Sequence, residues 1–561
     1  MAILPASARS HRFPSLTVIC LLAATAFTAA QTAAVPPAIP GNGYRVAGTV
    51  ISKTDGHPLA RARVALRDAK DSQKFESLVT AEDGKFNFPD VPAGKYSLNG
   101  AKRGFITAAY DQHEQFSTAI VTGAGIDTEA LVLRMSPAAV IAGKILDESG
   151  DPVRHASVTL YQDDHSTGVD QIHQVRGAQA DDQGEYEIPS LMPGTYFLSA
   201  TAKPWYAIHP HSDPKGSRRK SQQDIPENFD QALDVAYPLT YYPDATEAES
   251  ASPIPIRGGE HLQLEIHLNP VPSLHLLFRV SPNGDNSYHL PQLEQTAFEG
   301  SSFLQTESHF VSPGLFEIAG VPAGRYNIRI NRPGSSSQMN AVELTKDGEE
   351  IDTSSAEAMS TVKLSVQVPG SSLPERLTVG LRSAHRMLAG AWKVVDAKGE
   401  AELQQIPAGR YDIAVWGPPR PYSIRKMSAE GATVSGHSLI VAAGSSPSVS
   451  LSLVAGSSNI EGTAKRAGKP FAGAMVVLVP KDPELNRDLF RRDQSDLDGT
   501  FNLRNVVPGS YTLVAIEDGW DLDWSQPAVI AGYLGHGRAT EVGNPMGRNM
   551  NLSDAVEVQS K

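Results

Sequence analysis

The chain has one cysteine in 561 residues, Cys20, so no internal disulfide can staple it. Positive charge is also short: 49 Lys and Arg stand against 62 Asp and Glu, a formal net charge of −13. That balance argues against nucleic acid or an anionic membrane surface as partner, since both are gripped by clustered basic side chains. Beyond residue 30 no stretch approaches 18 uninterrupted apolar residues, so no membrane span is expected in the mature chain. Helical periodicity is scarce as well, with no 3.6-residue apolar pattern lasting beyond two or three turns.

Catalytic patterns are equally thin. None of the 16 histidines is followed by Glu at the third position, and His113-Glu114 lacks the second His of a His-Glu-x-x-His site. No Gly-x-Ser-x-Gly places a serine on a strained elbow, and the mature chain has no cysteine nucleophile. Asp493, Asp496 and Asp498 before Gly499 have part of a calcium-loop spacing, but the bidentate Glu is absent and Asp-Gly recurs along the chain as turn chemistry. His209 and His211 form an i, i+2 pair without a third ligand. The expectation is a protein that is not an enzyme and needs no metal or cofactor.

Residues 1–30 carry Arg9 and Arg12, an apolar core over 16–27 and then Thr28-Ala29-Ala30, the order of a secretory signal peptide. Cys20 lies inside it and follows Ile19, where a lipoprotein site wants a small residue. Residues 31–43, with Pro36, Pro37 and Pro40, read as a Pro-rich linker. The expected location is secreted or periplasmic, and an exported chain without disulfides must be held by its cores alone.

One spacing then occurs five times: a glycine, nine residues, a second glycine, one residue, a tyrosine. Gly84/Gly94/Tyr96, Gly184/Gly194/Tyr196, Gly314/Gly324/Tyr326, Gly399/Gly409/Tyr411 and Gly499/Gly509/Tyr511 all fit. A fixed period marks a copied supersecondary unit. After the first glycine, apolar residues alternate (Phe86 and Phe88, Tyr186 and Ile188, Phe501 and Leu503), the period of a half-buried strand. The spacing predicts one hairpin per signature, with Gly94, Gly194, Gly324, Gly409 and Gly509 at positive-φ or otherwise crowded turn positions. Each tyrosine is expected to be a structural corner whose hydroxyl bonds back to nearby backbone.

Short strands between Gly/Pro turns predict an all-β tandem array of five antiparallel sandwiches. The expected modules are 44–135, 136–271 with a long insertion at 202–239, 272–358, 359–455 and 456–561, the third and fourth being divergent. The insertion holds Trp205, Tyr206 and the basic run from Lys215 to Lys220, and loops of its length are usually functional or disordered. Trp205, Tyr206, Tyr241 and Tyr242 there, with Trp520 and Trp524 near the C-terminus, are the candidate carbohydrate-binding residues, because sugar C–H faces stack on aromatic rings. The competing reading makes the same rings plugs of sandwich ends or of contacts between modules.

Pro58-Leu59-x-x-Ala62-x-Val64-x-Leu66, Asp83-Gly84-x-Phe86-x-Phe88 and Val91-Pro92-Ala93-Gly94-Lys95-Tyr96-x-Leu98 resemble the carboxypeptidase regulatory-like family, related to transthyretin-like and Cna-B-type domains. The resemblance implies a Greek-key sandwich of the carbohydrate-binding-like or prealbumin-like type, found in exported bacterial proteins as stalk, spacer or ligand module and not itself cleaving anything. Some Cna-B-type domains carry a Lys–Asn isopeptide bond served by a Glu. That Glu is missing from 96–101 and 511–516, with Glu517 one residue beyond. The expected protein is a secreted, non-enzymatic rod of modules. Its expected partner is a polysaccharide or an envelope protein, and the alternatives are a structural spacer or an accessory subunit of an envelope hydrolase or transporter.

Overall fold

The structure is a computed structural model and describes residues 43–166, 168, 170–210, 230–280, 288, 290–298, 300–330, 338–352, 359–383, 386–417, 422–436, 438–455, 458–543 and 549–561. The leader, the linker up to residue 42, His211 and the basic run from Lys215 lie outside the described residues.

Module one sets the pattern. Its strands are β1 (Tyr44–Ser52), β2 (Arg63–Asp68), β3 (Phe75–Val79), β4 (Lys85–Val91), β5 (Gly94–Ala101), β6 (Ala108–Ala109), β7 (Ile120–Thr122) and β8 (Leu131–Met135). One sheet runs β4-β1-β8, and the facing sheet runs β3-β2-β5-β6 with β7 also on β5. Alternation does the work: in β4, Phe86, Phe88 and Val91 point inward and the residues between them are exposed. They meet Val64, Leu66 and Leu98 of the other sheet in a dry core. The first strand pairs with the last in parallel, Gly48–Ser52 beside Leu131–Met135, and the other pairs of this sandwich are antiparallel. The same parallel pairing joins Ala139–Leu146 to His261–His267, Leu274–Arg279 to Glu350–Asp352, Ser360–Gln367 to Ser448–Ala455, and Ser458–Arg466 to Asn549–Asn551 and Val556–Gln559. Five separate cores result, built around Val50, Ile141, Phe278, Val379 and Leu503.

In modules one to four the glycine–tyrosine signature spans two sheets, and in module five its two strands share one sheet without pairing, so in none does it lie on one hairpin. β4 belongs to the β1 sheet and β5 to the β2 sheet, and the corresponding strands are split in the same way in modules two, three and four. The turn before β4 also changes sheet in module one; only in module three, where Glu307–Ser312 pairs with Leu315–Val321, does it close a hairpin. Alternation and a glycine turn are shared by hairpins and by arches between sheets, so spacing alone does not separate them.

The two glycines have different reasons. Gly84, Gly184, Gly314, Gly399 and Gly499 have φ between +69° and +87°. Each carbonyl accepts the N–H of a first-strand residue: Val50, Ile145, Val280, Val366 and Ala464, at 2.7–2.9 Å. At four of the five a Cβ would fall 2.3–2.7 Å from that residue's own carbonyl oxygen. Gly94, Gly194, Gly324, Gly409 and Gly509 lack positive φ, contrary to the first alternative expected of them. Gly409 and Gly509 are crowded instead by the tyrosine two residues on, whose nearest atom lies 3.1 and 3.2 Å from where a Cβ would sit; at Gly94, Gly194 and Gly324 that distance is an ordinary contact of 3.4–3.7 Å. The tyrosines are corners: Tyr96, Tyr196, Tyr326, Tyr411 and Tyr511 are buried, and each hydroxyl donates to the carbonyl four residues back, at 2.8–3.0 Å.

Module five carries an addition. Its strand Met475–Pro480 is buried at every position, because both faces are covered. The outer face packs Met475, Val477, Val479, Val514 and Ile516 against Phe490, Trp524 and Ile530 of helix α1 (Pro527–Leu534).

Candidate functional site

The six candidate rings do not make one platform. Trp205 is 86% exposed and meets Tyr206 edge-on, ring centroids 5.8 Å apart. Tyr206 donates its hydroxyl to Glu148 Oε1, and Tyr237 donates to Glu148 Oε2 at 3.2 Å, so one carboxylate pins two phenols. Burial and that carboxylate push the Tyr206 hydroxyl up to about 12. Tyr241, at 1% exposed, faces inward and packs with Tyr161, Leu239, Ala297 and Phe298 where module two meets module three. Tyr242 packs on the module-two core. Tyr241 is therefore buried away from any sugar, and Trp205 with Tyr206 is what remains of the expected platform.

Trp520 and Trp524 are taken up by a junction that the sequence does not announce. Arg492 of module five, with a side chain 3% exposed, gives Nη1 and Nη2 to the two Glu114 oxygens of module one at 3.2 and 2.6 Å. Nη2 also donates to the Ser166 carbonyl of module two at 2.9 Å. The guanidinium lies 4.1 Å from the Trp524 ring, 5.3 Å from Phe116 and 5.7 Å from Trp520, a desolvated cation held by aromatic faces. His113 stacks on Trp520 at 5.0 Å and an interplanar angle of 5°. Around it, Ala119 N–H donates to Asp496 Oδ1, Leu497 N–H to the Ala119 carbonyl and Lys95 Nζ to Asp496 Oδ2. Gly473 and Gly168 leave no room for a Cβ, which would press on Asp111 and on Trp524 at 2.5 and 2.6 Å. Module five thus contacts modules one and two, which an end-to-end rod does not allow. Only a bonded structure reveals this, since Arg492 and Glu114 are 378 residues apart.

The aspartates of the partial calcium spacing are spent internally. Asp498 Oδ1 accepts Thr500 N–H, Asp493 Oδ2 accepts Asn502 N–H, and Asp496 serves the junction. Burial pushes Asp493 up to about 6. Glu517, the carboxylate closest to an isopeptide position, is paired with Arg466 through both oxygens.

His209 joins a buried relay between modules two and three. Its Nδ1 meets Asp234 Oδ1 at 2.9 Å; Asp234 Oδ2 meets His275 Nε2 at 2.7 Å, and His275 Nδ1 meets Glu317 Oε1 at 3.0 Å. The Glu317 bond raises His275, burial opposes it and Asp234 adds to the rise, which leaves the imidazole at about 9. A third cluster, Asp163, His165 and Asp170, faces module five on module two. Burial pushes His165 down, but its bond to Asp523 and the neighbouring carboxylates outweigh that and leave it raised. Asp163 is pushed up to about 6 by the Asp170 carboxyl first and by burial second.

The family model of the carboxypeptidase regulatory-like domain matches residues 45–125 and 140–207. The two matches fall on modules one and two. The other three modules repeat the same glycine turn and tyrosine corner without a match to that model. No curated protein matches the chain by sequence. Among solved structures, the TIE protein of Bacillus anthracis is 11% identical with a TM-score of 0.17, covering 68% of this chain and 70% of its own. The minor pilin GBS52 of Streptococcus agalactiae is 14% identical at 0.19, covering 40% and 97%. The shaft pilin spaA of Lactobacillus rhamnosus GG is 8% identical at 0.17, covering 41% and 98%. At such identities no residue here acquires a role from these structures. Among the described residues no helix is long and apolar enough to cross a membrane.

Proposed function

We propose that this chain is an exported, non-enzymatic scaffold of the cell envelope whose regulatory-like modules space and assemble other components. The observation that carries the reading is Arg492: a buried cation bonded to module one, bonded to module two and walled by the aromatics otherwise available to a sugar. Side chains committed to holding modules together define a fixed framework more than a ligand pocket. Export rests on the leader at residues 1–30, and the seams are placed near 136, 271, 358 and 455, supported by the five separate cores.

A second reading has its own observation, the bare Trp205 ring beside Tyr206. It makes a weak site for extended polysaccharide, effective through many copies on a surface. Retention of the mature protein on insoluble cell-wall and plant polysaccharides separates the two. The scaffold reading expects no retention, or equal retention of wild type and a Trp205→Ala/Tyr206→Ala variant. Retention abolished in the variant alone, with its melting unchanged, puts glycan binding first.

A further inference from the structure

Asp163 lies near the end of the strand Ser157–Asp164, and His165 and Asp170 flank the turn into Gln171–Gln179. One ligand atom from each of the three lies within 4.8 Å of the others. Asp163 Oδ1 is buried, and among the described residues no hydrogen-bond donor reaches it. His165 Nδ1 is held by Asp523 Oδ1 at 2.9 Å, which turns Nε2 toward Asp170 Oδ1, 3.9 Å away. Asp164, next in sequence, is occupied by Ser166 N–H and Oγ and stands outside the set.

Two ionised carboxylates this close, partly out of water, repel, and a shared proton or a bound cation relieves them. The histidine is prepared for the cation. A carboxylate on Nδ1 fixes the tautomer that bears its lone pair on Nε2, the outer-shell arrangement usual for a metal-ligating imidazole.

We propose that Asp163, His165 and Asp170 bind one divalent metal ion of the zinc class at the contact between modules two and five, with Asp523 as the positioning residue for His165. Two carboxylate oxygens and one imidazole nitrogen suit zinc-like ions and leave a position for water; calcium takes six to eight oxygens and has little use for imidazole. Asp523 belongs to module five, and the neighbouring Ser525 donates its N–H and hydroxyl to the Gly168 carbonyl at 3.1 and 2.8 Å. Metal occupancy and closure of this junction are therefore coupled: the ion favours the docked arrangement that holds His165 in place.

The test is calorimetric titration of Zn²⁺ into the untagged mature protein after EDTA treatment and dialysis. Wild type is expected to bind one ion per chain, and His165→Gln and Asp170→Asn to bind at least tenfold more weakly. Asp170 is exposed, so its variant keeps the fold if His165→Gln does not. Asp523→Asn is expected to weaken binding about 10–100-fold at unchanged stoichiometry. Zinc is also expected to slow amide exchange over 519–526 in wild type and not in His165→Gln. No saturable zinc binding by folded wild type, undiminished binding by Asp170→Asn, or tighter binding of Ca²⁺ than of Zn²⁺ overturns the proposal.

Discussion

Arg492→Ala tests whether the fifth module is fastened to the first two. The substitution strands the Glu114 carboxylate, itself largely buried, and opens the space between Phe116, Trp520 and Trp524. Removing one partner of a buried ion pair costs about 3–5 kcal/mol, and a desolvated cation–π contact contributes about 2 kcal/mol that overlaps with it. About 3–5 kcal/mol is thus the expected cost, a large share of the ~5–15 kcal/mol that holds one domain. The loss falls on the junction, because the five cores do not include Arg492. Amides that bond across it, Ala119 and Leu497, should exchange at least about 100-fold faster, while Val50 and Leu513 inside the sandwiches keep their protection. Arg492→Lys, which keeps the charge and loses the fork, should fall between. Unchanged exchange at Ala119 and Leu497 in Arg492→Ala refutes the reasoning.

Other outcomes follow from the same geometry. Gly84→Ala combines a positive φ, worth about 1–2 kcal/mol, with a Cβ 2.7 Å from the Val50 oxygen; Gly94→Ala meets only the Tyr96 ring at 3.4 Å, so calorimetry should find the first clearly the more damaging. Tyr96→Phe should cost about 1 kcal/mol through the lost bond to the Pro92 carbonyl and Tyr96→Ala about 3–5 kcal/mol, and equal melting of both refutes the corner role. His275 carries a proton more firmly folded than unfolded, so its contribution is complete below about pH 6.5 and is lost as pH rises through about 9; His275→Gln should flatten that slope in denaturant titrations of pH 6–10.

How far the sequence could be read depended on the range of the interaction. Alternation in Phe86/Phe88 and Phe501/Leu503, with a tyrosine two residues after a glycine, is local chemistry, and it yielded strands, turns and corners. Whether β4 and β5 pair or face each other is decided by partners outside the motif, Gly48 with Phe86 and Leu66 with Leu98, so the arch looked like a hairpin. The burial of two aromatic candidates was out of reach for the same cause: that of Tyr241 depends on Phe298, and that of Trp524 on Arg492 and Phe490, all distant in sequence. One signal was available. The unbroken apolar run Met475–Pro480 departs from alternation and marks a strand covered on both faces, as module five's is.

The parallel pairing of first and last strands has a mechanical consequence. In module one the chain enters at Tyr44 at one end of the sheet and leaves at Met135 at the other, with β1 and β8 side by side. Tension applied through the neighbouring segments therefore slides the two strands along each other and strains their hydrogen bonds together, instead of opening them singly from an end. The same geometry in the other four modules makes each a unit that resists pulling along its length. The contacts around Arg492, which bridge residues far apart in the chain, are then the first to part under tension and release slack before any sandwich shears.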